Sequence, residues 1–79
     1  MSKFSDTLEY LGSDYSVKNI DYEDCIYKKI GNLELEISGL HSRGKYDATI
    51  YLHENGRITK SISDIHSKEE LAKHLETLV

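Results

Sequence analysis

The chain has no second cysteine to pair with Cys25, so no internal disulfide can staple the fold, and the lone thiol fits a reducing compartment. We therefore expect a cytoplasmic protein. No run approaches the roughly 18 apolar residues that span a bilayer, and the start, Met1-Ser2-Lys3-Phe4-Ser5-Asp6, lacks the apolar stretch of a secretory leader. Neither membrane insertion nor secretion is expected.

Chemical signatures are equally sparse. There is no His-x-His or Cys-x-x-Cys spacing, and His41, His53, His66 and His74 stand as isolated singles, so no metal site is expected. Gly39 and Gly44 have neither the spacing nor the following helix of a phosphate-binding loop. Cys25 with one of the histidines would make a thiol-imidazole pair, but no local signature supports one, and a partly buried strand cysteine is the simpler meaning. We expect no catalytic residues and no cofactor. A single small layer of sheet under two short helices has little room for a pocket where catalytic groups converge.

What the chain does have is charge of one sign at one end. Residues 1–24 carry Lys3 and Lys18 against Asp6, Glu9, Asp14, Asp21, Glu23 and Asp24, while residues 25–79 hold eight basic and eight acidic side chains. The net charge of −4 thus lies in the first third. An acidic front disfavours nucleic acid and favours a basic partner. The only basic cluster, His41, Arg43 and Lys45, lies in a stretch that also holds Gly39 and Gly44, and reads as a solvated loop.

With 79 residues, 38% hydrophobic and 30% charged, the chain is expected to form one domain over 1–79. Folding at this size buries only roughly 60–65% of the unfolded surface, so stability should be modest. Phe4, Leu8 and Leu11 give one helical stripe, with Ser2 as N-cap and Gly12 as terminator. Residues 13–24 lack a clean period and read as an ordered acidic connector; a fifth strand there stays open.

From Cys25 the pattern alternates. Gly31-Asn32 suits a two-residue type II′ turn, which pairs Ile30 with Leu33 and Ile26 with Ile37, and sets Lys29 opposite Glu34 and Tyr27 opposite Glu36. The strand over Cys25–Ile30, with Lys28 and Lys29, suits a charge-guarded edge. In the second hairpin a two-residue Asn55-Gly56 loop would put Ile58 opposite His53 on the polar face. A three-residue loop with a G1 bulge at Gly56 keeps Ile58 and Ile62 with the core, and is the expected geometry. Ser67 and Glu70 form a capping box before the Leu71, Leu75 and Leu78 stripe.

The expected fold is α+β: a four-stranded antiparallel meander with N- and C-terminal helices packed on one face. The other face then shows Tyr27, Lys29, Glu34, Glu36, Asp47, Thr49, Tyr51, His53, Thr59 and Ser61. Threonine and tyrosine suit any solvated sheet face, and tyrosine also supplies rigid contact area for recognition.

In size, acidity and lack of a catalytic motif the chain resembles small phage-encoded inhibitors of host defence, the anti-CRISPR proteins among them. The resemblance covers composition and layout, and no motif carries it. The expectation is a non-enzymatic module that binds a larger protein with a basic, nucleic-acid-handling surface. Its candidate contact residues are Asp14, Tyr15, Asp21, Tyr22, Glu23 and Asp24 in the acidic stretch, with Tyr27, Glu34, Glu36 and Tyr51 on the sheet. The alternative is a subunit that self-associates, as a homodimer, through the exposed sheet face or an open strand edge.

Overall fold

The computed structural model describes residues 2–78. Helix α1 spans Lys3–Leu11, strands β1 to β5 span Ser16–Ile20, Glu23–Ile30, Leu33–Ser38, Ala48–Glu54 and Arg57–Ile65, and helix α2 spans Lys68–Leu78. The strands form one antiparallel meander in the order β1-β2-β3-β4-β5.

Both helices begin where the side chains can satisfy amides that helix geometry leaves open. Ser2 Oγ accepts the Ser5 amide at 3.0 Å, and Ser67 Oγ accepts the Glu70 amide at 3.0 Å. Glu70 reaches back one residue further than a standard capping box, to the His66 amide at 3.0 Å. Gly12 ends α1 at φ 93°, its amide donating to the Leu8 carbonyl.

One face of the sheet holds the core: Ile26, Leu35, Ile37, Ala48, Ile50, Leu52 and Ile65 are buried there with Leu71 and Leu75 of α2 and with Leu40. Phe4, Leu8 and Leu11 of α1 pack on the same cluster, as does Leu78. Thr7 is fully buried, and its hydroxyl lies 2.8 Å from the Tyr46 hydroxyl.

The β2–β3 hairpin has the expected register, Ile30 with Leu33, Lys29 with Glu34, Tyr27 with Glu36 and Ile26 with Ile37. Gly31 takes the positive φ, 59°, that a type II′ turn requires at its first position.

Three expectations need correction. The sheet has five strands, not four: residues 16–20 of the supposed connector form β1, which pairs Val17 with Ile26 and Lys18 with Cys25. Asp21 and Tyr22, at φ 53° and 68°, make the two-residue turn that closes this hairpin. Only Val17 and Ile20 mark this strand in the sequence, and the tertiary pairing with β2 outweighs the weak local pattern. As a result β2 is interior, and the edges are β1 and β5.

The third correction concerns β4–β5. Asn55 and Gly56, at φ 53° and 80°, form a tight two-residue turn, so Ile58 does pair with His53. The chain recovers its hydrophobic register further along. One bulge at Thr59 lets Leu52 pair with Lys60 and Ile50 with Ile62, and a second shift, with Asp64 at φ 60°, places Ile65 opposite Ala48. Ile58 is left 58% exposed on the face away from the helices.

Candidate functional site

The face without helices is laid out in two cross-strand rows. Ser16, Tyr27, Glu36, Tyr51 and Ser61 are successive partners across all five strands. Lys29, Glu34, His53 and Ile58 make the neighbouring row. The sheet coils toward this face: Ile20 on β1 and Ile58 on β5 wall the same cleft. In a flat sheet those edge strands would lie four spacings, or roughly 19 Å, apart.

Two adjoining clefts result, of about 360 and 310 Å³, which share Ile20, Glu36 and His53. Asp21, Glu23, Cys25, Ser38, Tyr51 and Ile58 complete the first. Lys18, Asn19, Tyr27 and Glu34 complete the second.

Glu36 is the floor of both, and at 9% exposure it is a buried carboxylate. Such a group persists only when donors replace its water. His53 Nε2 donates to Oε1 at 3.0 Å, and the Cys25 thiol reaches Oε2 at 3.8 Å. Burial, first, and then the charges of Glu36 and Glu23 push the Cys25 thiol up from 9.0 to about 12. It is thus a protonated donor, without the thiolate that nucleophilic chemistry requires.

In the second cleft a cation is already in place. Lys18 Nζ sits 4.6 Å from the centre of the Tyr27 ring and 3.5 Å from Glu34 Oε1. The Tyr27 hydroxyl donates to the same Glu34 oxygen at 2.6 Å, which holds the tyrosine above its ordinary 10.0 and lowers the Glu34 carboxyl. Lys29 is the strand partner of Glu34, but the Glu34 carboxylate forms its ion pair with Lys18 on β1.

Of the ten residues singled out in the sequence, seven gather around this face. Tyr27, Glu34, Glu36 and Tyr51 lie on it, Asp21 and Glu23 line the first cleft, and Tyr22 stands at the adjacent hairpin tip with its side chain fully exposed. The other three do not join them. Asp14 is in the turn after α1, and Tyr15 packs on the core with Lys28 Nζ 5.2 Å from its ring. Burial and the nearby Asp14 raise the Tyr15 hydroxyl. Asp24 accepts from Asn19 at 3.1 Å, and its carbonyl lies 2.8 Å from His41 Nε2. The acidic stretch is therefore divided between two sides of the sheet.

Ile20, Cys25, His53 and Ile58 belong to the site and were not among those ten. For Ile58 the signal was the Asn55-Gly56 pair, whose tight turn sends it to the polar face. His41, in the loop with Arg43 and Lys45, stacks on Phe4 at 4.7 Å and ties that loop to α1.

Among the described residues, no group of three or more His, Cys, Asp or Glu side chains is placed to hold a metal, and no helix is long and apolar enough to cross a membrane. No family model, curated protein or solved structure matches the chain.

Proposed function

We propose that the chain is a non-enzymatic, cytoplasmic protein-binding module that docks the coiled sheet face and the β1–β2 tip on a basic surface of a larger protein. One observation carries this reading: of the most exposed large hydrophobic residues, Ile58 lines a cleft bearing Asp21, Glu23 and Glu36, and Tyr22 stands between the first two of these at the hairpin tip. Exposed aromatic and aliphatic anchors beside complementary charge are the makings of an interface, the charge steering encounter and the anchors supplying lasting affinity.

The turn sharpens the point. Tyr22 has φ 68° in a turn of the same two-residue kind as Asn55-Gly56, where glycine fills the equivalent position at φ 80°. A tyrosine there carries left-handed strain, and full exposure returns nothing to the fold. An external contact is the use that such a placement suits.

A basic protein surface ordinarily handles nucleic acid, so the module acts as an inhibitor that excludes DNA or RNA from its partner, as a phage-encoded inhibitor of a bacterial defence effector would. Immobilised protein, challenged with bacterial lysate at low and high salt, tests this. The expected result is a nucleic-acid-handling protein retained at low salt, released at high salt and lost with Tyr22→Gly. Retention of nothing, or equal retention by Tyr22→Gly, contradicts it.

A second reading, a homodimer through an edge strand, draws on Val17, 47% exposed on the open edge β1. Sizing across a dilution series decides it: a dimer that Val17→Lys dissociates supports that reading, and a monomer at all concentrations removes it.

A further inference from the structure

The two clefts on the sheet face differ in one respect that points to a ligand. Each sets a tyrosine beside a carboxylate, Tyr27 with Glu34 in one and Tyr51 with its strand partner Glu36 in the other. In the first of these pairs the chain supplies its own cation, Lys18, over the ring and against the carboxylate. The cleft of Tyr51 and Glu36 adds Asp21 and Glu23, yet its lining contains no lysine or arginine.

We propose that this cleft receives one arginine side chain from the partner protein, an inference that rests on the docking reading above. Its volume, about 360 Å³, lies at the small end of ligand sites and suits a single side chain better than a cofactor. Ile20 and Ile58 wall the cleft and would flank the methylene stem. Tyr51 lines the cleft with an aromatic ring, and Asp21, Glu23 and Glu36 line it with carboxylates.

Arginine fits better than lysine for two reasons. Both Glu36 oxygens already accept one hydrogen bond, so the incoming cation meets a partly desolvated site, and guanidinium is the more weakly hydrated of the two. The planar group also stacks on an aromatic face while its N–H fork reaches carboxylates at the side.

The probe is Nα-acetyl-argininamide, titrated into isotopically labelled full-length protein and followed by NMR. Nα-acetyl-lysinamide and the neutral isostere Nα-acetyl-citrullinamide serve as comparisons. Saturable shifts at the Ile20 and Ile58 methyls and the Tyr51 ring are expected with arginine, at least about threefold weaker with lysine and absent with citrulline. The double variant Asp21→Asn, Glu23→Gln should lose them while the rest of the spectrum stays in place, because Asp21 is exposed and the Gln amide oxygen can still accept from the Gly39 amide, which Glu23 Oε2 does at 3.4 Å. Equal shifts with citrulline, or no shifts at the cleft, overturn the inference. In that case the docking reading is still judged separately by the retained partner and Tyr22→Gly, which lies outside the cleft walls.

Discussion

At Cys25, burial and the carboxylates of Glu36 and Glu23 act together, and the thiol, 2% exposed, is pushed up to about 12. Native protein should therefore react with a thiol reagent at pH 8 at least about a hundredfold more slowly than the denatured chain. Comparable rates would show that the thiol is open. The same shift has a sign for stability: the folded form holds the proton more tightly, so this contribution is whole below pH 9 and is lost as pH rises toward about 12. Tyr22 makes the opposite kind of statement. Relief of left-handed strain is worth roughly 1–2 kcal/mol and glycine's extra chain entropy takes back about 0.5–1, so Tyr22→Gly should stabilise by up to about 1.5 kcal/mol. Thermal melting should rise by a few degrees while partner retention falls. A variant that melts lower would mean the ring supports the fold.

Among the elements, β5 decides which apolar residues are inside. Its bulge at Thr59 allows Ile58 to face outward while Ile62 pairs with Ile50. Ile50→Ala should cost about 2–5 kcal/mol, since Ile50 is 1% exposed, whereas Ile58→Ser should fall within about 0.5 kcal/mol of wild type. Urea unfolding of both variants checks the register, and a large loss at Ile58 would restore the three-residue loop. Gly39 is fixed more locally: at φ 88°, an added Cβ would lie 2.5 Å from the Asp47 carbonyl oxygen, so Gly39→Ala should destabilise clearly. The two helices and the β2–β3 hairpin were legible in the sequence because cap, turn and apolar period agree there. β1 was not, because only Val17 and Ile20 mark it, and the strand exists through its pairing with β2. In β4–β5 the turn residues spoke for the tight turn and the apolar period spoke against it. A bulge satisfies both, and neither signal alone discloses it.

For the whole molecule, 79 residues at about 0.05–0.15 kcal/mol each give a stability of roughly 4–12 kcal/mol, so one core truncation uses a large part of it. The net charge of −4 read from the first third remains, but folding divides it. Asp21 and Glu23 come to the sheet face, while Asp14 and Asp24 go elsewhere. The sheet half of the candidate site was visible from alternation alone. Its union with the hairpin tip depended on the coil of the sheet, which no local pattern records.

Docked as proposed, this face competes with nucleic acid for a basic protein surface. The most direct measurement is a titration of the retained partner, bound to fluorescently labelled DNA or RNA, with this chain, read by anisotropy. Displacement by the wild type is expected, at least about tenfold weaker for Tyr22→Gly and for Asp21→Asn, Glu23→Gln, and weaker for all three at high salt. Displacement unchanged in those variants, or a ternary complex with the nucleic acid still bound, would contradict it.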